Sequence, residues 1–167
     1  MNKLMYFLCV VLLSIGMTAC HNQPNQPVAE EPEIDDPTIE SHMQLMVNGV
    51  GEILSDTTIV VQESNLNLLS GKIEMKLEGA IRGVDALRVV VTRSDKGLED
   101  EFCALGACLM GDGEPEQVFD LTAFDDSDKW YVHYMVEKEG AYTVSYKFIN
   151  YSRVVKLTVV FDYQGKE

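Results

Sequence analysis

Apolar residues recur at every second position along the last third of the chain, and this pattern predicts three antiparallel strands. A period of two, in runs rich in Val, Tyr, Phe and Thr, is typical of strands with one buried face. Gly140 and residues 150–152 mark the turns between the runs. The residues predicted to face the core are Trp130, Val132, Tyr134 and Val136, then Tyr142, Val144, Tyr146 and Phe148, then Val155, Leu157, Val159, Phe161 and Tyr163.

Shorter segments upstream show the same alternation. Residues 72–81 are the clearest, because Ile73, Met75 and Leu77 alternate with charged residues. Further strands are predicted near residues 43–47, 57–63, 87–91 and 117–121, with polar loops at 95–101 and 122–129 and no long helix. One-sided strands bury their apolar face against a second sheet. We therefore predict an all-β, antiparallel sandwich of roughly seven to nine strands, immunoglobulin-like or fibronectin-like and not a closed barrel.

The N-terminal segment does not fit this pattern. Lys3 precedes an apolar run over residues 4–15, which is shorter than a membrane-spanning helix. Small residues then lead into Cys20, and this arrangement resembles a bacterial lipobox. The resemblance implies a signal peptide over residues 1–19 that is cleaved before Cys20, and a lipid on that cysteine that anchors the chain in a membrane. An ordinary secretory signal with an incidental cysteine is the alternative.

Residues 20–42 are predicted to be a tether and residues 43–167 the folded domain. The tether is rich in proline and acidic residues and has little that could pack, so it is expected to be disordered. The whole chain carries a formal net charge of −14. Nucleic acids and anionic membrane surfaces attract basic patches, so this charge argues against both as partners.

Several structural motifs accompany the lipobox: Phe102-Cys103 followed by Cys108, Trp130 with His133-Tyr134, and the run from Gly140 to Tyr146. With these motifs the chain resembles small lipoproteins of Bacteroides-type bacteria that carry an immunoglobulin-like sandwich. The resemblance implies a fold and a compartment, but no activity. Gly140-Ala141-Tyr142 also resembles the tyrosine corner of immunoglobulin strands. Val144 stands where those domains place their second cysteine, so their central disulfide is absent.

Two cysteines remain in the exported domain, Cys103 and Cys108, and an even number outside the cytoplasm suggests a disulfide. Two free thiols are the alternative. A redox pair would more naturally have two intervening residues, and a zinc site would need further ligands. His133 has no nucleophile and orienting acid in any recognisable motif, so it is interpreted as a structural or surface histidine.

Two acidic loops are the best candidates for a ligand, since clustered carboxylates can bind calcium weakly in extracellular modules. The candidate ligands are Asp112, Glu114, Asp125, Asp126 and Asp128. Solvated acidic loops are the alternative, and no other cofactor is expected. A sugar-stacking surface of Trp130, Tyr131, Tyr151 and Tyr163 competes with a role for these rings in the core. Asp56-Thr57-Thr58 resembles a short O-glycosylation signal of Bacteroides-type bacteria.

The leading hypothesis is a lipid-anchored, non-catalytic binding or structural module of the bacterial outer membrane. It is expected to be a monomer at the cell surface, with a periplasmic orientation as the alternative, and its protein or glycan ligand is not named by the sequence. The competing hypotheses are a glycan-binding accessory lipoprotein of a surface uptake system and a surface-appendage subunit that exchanges strands with its neighbours. An enzyme is not expected, because no paired acids or Ser/His set stand out.

Overall fold

The computed structural model describes residues 33–95, 99–124 and 127–165, and this part of the chain is all-β, without a helix. No helix long and apolar enough to cross a bilayer is found within these ranges. The strands are β1 (Gln44–Val47), β2 (Gly51–Glu52), β3 (Thr57–Val61), β4 (Ser64–Leu66), β5 (Ile73–Arg82), β6 (Ala86–Arg93), β7 (Glu99–Ala104), β8 (Ala107–Met110), β9 (Glu116–Thr122), β10 (Lys129–Val136), β11 (Gly140–Asn150) and β12 (Arg153–Tyr163).

The strands form two sheets. Sheet A has seven strands in the order β2-β1-β5-β10-β7-β8, and β4 also pairs with β5. Sheet B has five strands in the order β3-β12-β11-β6-β9. The long hairpin of β11 and β12 pairs along its whole length, from Gly140 with Tyr163 to Asn150 with Arg153. The predicted two-layer sandwich is therefore confirmed.

The core lies between the sheets and contains most of the predicted inward residues. Trp130, Val132 and Tyr134 from sheet A are buried, as are Tyr146 and Phe148 from sheet B. Trp130 meets Phe148 edge-on with 5.7 Å between ring centroids. Each such side chain contributes about 1.5–3 kcal/mol through the apolar area it removes from water, so the aromatic layer accounts for much of the stability.

A tyrosine-corner hydrogen bond lies at the start of β11. The Tyr142 hydroxyl donates to the backbone carbonyl of Lys138 at 3.0 Å. Val144, two residues on, is buried. This is the arrangement that the Gly140-Ala141-Tyr142 run predicted from its resemblance to immunoglobulin strands.

Three features differ from the sequence-based expectations. Twelve strands lie in the described ranges instead of seven to nine, because backbone pairing adds short strands such as β2 and β4, which carry too few residues to show a period. Residues 99–101, predicted as loop, begin β7, where Asp100 faces inward. One pair, β3 with β12, is parallel, whereas an antiparallel sandwich was expected.

Residues 33–42, which the sequence assigned to the tether, contact the β11–β12 turn and β6. The Ser152 N–H donates to the carbonyl of Ile39 at 3.1 Å, and Tyr151 N–H donates to the carbonyl of Ile34. Arg88 on β6 binds the Asp35 carboxylate at 2.6 Å. Backbone partners of this kind do not depend on side-chain pattern, so composition alone does not reveal them.

Candidate functional site

A groove of about 600 Å³ opens at one edge of the sandwich, between β3 of sheet B and β5 of sheet A. No residue of β12, the strand that pairs with β3, lines it, so the groove lies on the unpaired side of β3. Its lining is mixed polar and apolar and consists of residues 48–50, 59–63, 65 and 76–78.

On the sheet A side, the groove lies beside a short part of β5 that has no paired strand on this edge. β1 pairs with residues 79–82 of β5, and β4 pairs with residues 73–75 of the same strand. Residues 76–78 between these two segments have no strand partner on this edge among the described residues. Asn48 reaches into the gap, and its backbone N–H donates to the Glu78 carbonyl at 2.9 Å.

The sheet B wall is an edge strand. β3 is the first strand of its sheet and pairs only with β12 in the part of the chain that the structure describes. Val61 is buried and Val60, on the opposite face, is 56% exposed. An edge strand presents a row of unpaired backbone groups to a partner, so both walls of the groove offer backbone hydrogen-bonding groups.

The charges at the groove are mostly acidic. Lys76 pairs with Glu78 at 2.8 Å, and Asn48 donates to the same carboxylate at 3.2 Å. The hydrogen bond from Lys76 is the main reason that the pKa of Glu78 lies below its ordinary value. Because Lys76 is engaged in this way, Glu63 contributes the uncompensated charge of the lining.

His133 lies on the outer face of sheet A in a cluster of polar side chains. Its Nδ1 is 2.7 Å from Glu74 and 3.6 Å from Glu101, and its ring packs on Tyr131 with 4.8 Å between centroids. Its Nε2 is buried without a hydrogen-bond partner in the structure. The cluster resembles a catalytic pair only in part, because its polar partners are carboxylates and no hydrogen bond between His133 and a serine, threonine or cysteine is found among the described residues.

Cys103 and Cys108 face each other across the β7–β8 hairpin and are joined by a disulfide, with 4.1 Å between their Cα atoms. The turn is tight because Leu105 and Gly106 both have positive φ angles, which suits a two-residue hairpin loop. Glu101 has a carboxylate oxygen within 4.8 Å of both sulfurs, and these three residues are the one metal-ligand type cluster found among the described residues. Disulfide sulfurs are not thiolates, so the oxidised pair offers no strong metal ligand.

Three of the five calcium candidates, Asp112, Glu114 and Asp128, lie in the part of the chain that the structure describes. The Asp112 carboxylate accepts the backbone N–H of Glu114 at 3.0 Å, and Asp128 accepts Arg82 at 2.8 Å. The Arg82 hydrogen bond lowers the pKa of Asp128. Asp125 and Asp126 lie outside the described residues, as do Cys20 and the signal segment, so their predicted roles remain predictions.

The proposed sugar-stacking surface does not form as a set. Trp130 is fully buried, and its indole N–H donates to the backbone carbonyl of Met46 at 2.9 Å. Tyr131 carries Lys76 over its ring at 5.0 Å and is 3.3 Å from the Cys108 sulfur. The core-facing position that the alternation predicted for Trp130 is therefore confirmed, and the alternative of a sugar-stacking surface that includes this ring is excluded.

The groove was not predicted from the sequence. Residues 57–63 were correctly predicted to contain a strand, and residues 72–81 were correctly predicted to alternate. Which strands remain unpaired depends on the order of strands in the sheets, and side-chain alternation does not determine that order. The exposed Val60 within a β-branched run was the one available signal.

No protein-family model matches the chain, and no curated protein matches it in sequence. Among solved structures, the N-terminal domain of PorA aligns with 75% of this chain and 99% of its own, at 15% identity and a TM-score of 0.50. The chain has an immunoglobulin-like β fold. The ASH/PapD-like domain 7 of human CEP192 aligns at 8% identity over 86% of this chain and 100% of its own, with a TM-score of 0.32. At 15% identity, the similarity to the PorA domain concerns the fold and not the ligand.

Proposed function

We propose that the protein is a lipid-anchored, non-catalytic binding module of the bacterial outer membrane, and that the groove between β3 and β5 is its ligand site. Two lines of reasoning support the proposal. The leader ends in a lipobox-like run at Cys20. The fold is an immunoglobulin-like sandwich, an architecture that hosts many binding functions through sites at its edges and loops.

The observation that carries the binding role is the groove itself. It combines a volume of about 600 Å³ with unpaired strand edges on both walls. Concave sites with a few convergent polar groups are the usual ligand sites of proteins. The His133 cluster is the nearest alternative, but the partners found for His133 are the carboxylates of Glu74 and Glu101, and no hydrogen bond from a nucleophilic side chain to it is found among the described residues.

Anchoring is tested with a Cys20→Ala variant of the full-length chain. We expect the wild-type chain to incorporate labelled palmitate and to partition into detergent, and the variant to do neither. Protease shaving of intact cells then assigns the orientation, since a surface domain is lost and a periplasmic one survives until the outer membrane is opened. A variant that is labelled as well as the wild type would contradict lipidation at Cys20.

The ligand site is tested by photo-crosslinking in cells. A benzophenone side chain replaces Val60 beside the groove in one variant and Val118 in the other; Val118 lies on β9, the opposite edge strand, and is similarly exposed at 53% against 56%. We expect adducts at position 60 and none at 118. An adduct that contains glycan would favour the uptake-accessory hypothesis, and an adduct with a second copy the appendage hypothesis. Equal labelling at both positions, or none at 60, would contradict the groove as the ligand site.

A further inference from the structure

We propose that the groove binds an extended segment of a partner polypeptide by strand addition, with the segment lying along β3 and passing the unpaired part of β5. The inference rests on the proposed function, since it takes the groove as the ligand site. It adds the chemical class of the ligand and the way in which the ligand is held. The partner segment alternates apolar and basic residues.

The backbone of Lys76 faces the gap between β1 and β4. Successive residues of a strand direct their N–H and carbonyl groups to opposite edges. The Glu78 carbonyl accepts from Asn48, so Glu78 faces the gap between β1 and β4. Lys76, two residues away, therefore directs its own N–H and carbonyl into the same gap. No strand residue is registered opposite Lys76 on that edge among the described residues, since the pairing of β1 reaches only Gly79 and that of β4 only Met75.

The pairing of β4 with β5 stops one residue short of Lys76. β4 pairs with β5 from Leu66–Ile73 to Ser64–Met75. Continuing this register would bring Glu63 opposite Lys76, but β4 begins at Ser64 and Glu63 lies outside the strand pairing. Residues 62 and 63 connect β3 to β4 without extending the pairing, and Lys76 belongs to the lining of the groove.

The free edge of β3 runs beside this gap. A strand added there would extend sheet B by one member and would place its side chains alternately on the two faces. Its inward residues would meet Val61 and Leu77, which are buried, and its outward residues would meet the exposed Val60. The five residues of β3 match a bound segment about 17 Å long.

Charge decides between a second copy of this chain and a different partner. The lining contains Glu63 and Glu78 against the single cation Lys76, and the chain as a whole has a net charge of −14. A second acidic copy would be repelled, whereas a basic segment would be attracted. The occupant is therefore a basic extended segment of another polypeptide.

The test uses the full-length chain in detergent and an array of heptapeptides that alternate Val or Thr with Lys. The matched array carries Glu in place of Lys. We expect the Lys peptides to bind at least about tenfold more tightly than the Glu peptides. Methylating one backbone nitrogen of the peptide at a time then tests whether the backbone hydrogen bonds of the peptide contribute to binding. In strand addition, methylation at alternate positions weakens binding about tenfold and at the intervening positions has little effect.

Two protein variants locate the contact. Val60→Arg on β3 should abolish peptide binding, and Val118→Arg on β9 should leave it unchanged, since the two valines are similarly exposed. Amide hydrogen exchange of the wild-type protein should show new protection along β3 when peptide is bound. This measurement needs no variant, so it does not depend on whether a variant folds.

Absence of binding by the Lys peptides, binding insensitive to the position of methylation, or protection confined to β9 would each overturn strand addition. These failures are separable from failure of the proposed function. Crosslinking at position 60 to a glycan or lipid, with no peptide binding, would leave the groove as the ligand site and refute only its peptide occupant. Loss of crosslinking at position 60 would refute both.

Discussion

Arg93 and Asp100 form a buried, bidentate ion pair that joins the two sheets. The Arg93 Nε and Nη2 atoms lie 2.9 and 3.0 Å from the two carboxylate oxygens of Asp100. Arg93 belongs to β6 in sheet B and Asp100 to β7 in sheet A. Their side chains are 0% and 2% exposed. This ion pair constrains how β6 and β7 pack across the sandwich, because a charge buried in the interior without its partner is strongly destabilising.

Arg93 also donates hydrogen bonds to the segment between β8 and β9 and to β9 itself. Nη1 donates to the Glu114 carbonyl at 2.9 Å, and Nη2 also contacts the Gln117 side chain at 3.1 Å. The Gly111 N–H donates to the Asp100 carbonyl at 2.8 Å. Arg93 thus has partners on β7, in the β8–β9 connection and on β9, and Asp100 is compatible with the core only because Arg93 is there.

We expect Arg93→Met to lower the free energy of unfolding by about 3–5 kcal/mol, because it leaves the Asp100 carboxylate buried without its partner. The matched control is Arg88→Met. Arg88 binds Asp120 with two hydrogen bonds of 2.7 and 3.1 Å, but on the surface. An exposed pair contributes about 0–1 kcal/mol. Urea unfolding at neutral pH measures both.

A second variant separates charge from packing. Replacing both partners, as in Arg93→Met with Asp100→Leu, should recover much of the stability, since no charge is then left in the core. If the double variant is as unstable as Arg93→Met, the loss comes from packing and the interpretation of the pair is wrong.

The same pair predicts a pH dependence. Burial raises the pKa of the Asp100 carboxyl above its ordinary value of 3.8, and the hydrogen bonds from Arg93 act in the opposite direction. Without Arg93 the pKa should rise further. Between 3.8 and this raised pKa the folded state binds more protons than the unfolded state, so stability falls as pH rises through that window. Arg93→Met should therefore lose stability more steeply than the wild type as pH rises from 3.8, measured by urea unfolding at successive pH values. Parallel curves would contradict the assignment to Asp100.

Alternation of apolar and polar residues was sufficient to predict most of the sandwich. The inward faces of β5, β6, β10, β11 and β12 are buried as predicted. This works because the side-chain period of a strand is fixed at two, whatever its partner. The tyrosine corner was also predictable, because it is local in sequence.

Asp100 shows what alternation could not reveal. In β7 the inward positions are Asp100, Phe102 and Ala104, so the apolar pattern begins only at the second one. Recognising Asp100 as a core residue requires knowing that Arg93 lies across from it, which is a tertiary contact. The groove was missed for the same reason, since an unpaired edge is defined by the strands that are absent from it.

The disulfide should make a modest contribution to stability. Cys103 and Cys108 are five residues apart, and closing so short a loop restricts the unfolded chain by about 2 kcal/mol. We expect Cys103→Ala with Cys108→Ala to lose about this much in urea unfolding. The wild type in excess reductant should lose a similar amount, whereas the double variant should be insensitive to reductant. A wild type that is equally insensitive would show that the cysteines are not joined in the purified protein.

Gly79 makes room for the only tryptophan of the chain. It lies in β5 between Val47 of β1 and Trp130 of β10, and the indole N–H donates to the Met46 carbonyl at 2.9 Å. A Cβ atom at position 79 would lie 1.9 Å from the Met46 oxygen and 2.7 Å from the indole nitrogen. Because a backbone carbonyl has little freedom to move, Gly79→Ala must displace either β1 or the ring.

We therefore expect Gly79→Ala to destabilise the domain by about 1–3 kcal/mol or more. Ala80→Ser, which adds one atom at the next position on the opposite face of β5, should remain within about 0.5 kcal/mol of the wild type. Since Trp130 is the single tryptophan, its fluorescence reports directly on the site. The emission of folded Gly79→Ala should shift to longer wavelength as the indole loses its buried position. Wild-type stability together with unchanged emission would mean that β1 and β5 separate easily, and that the indole hydrogen bond does not hold them together.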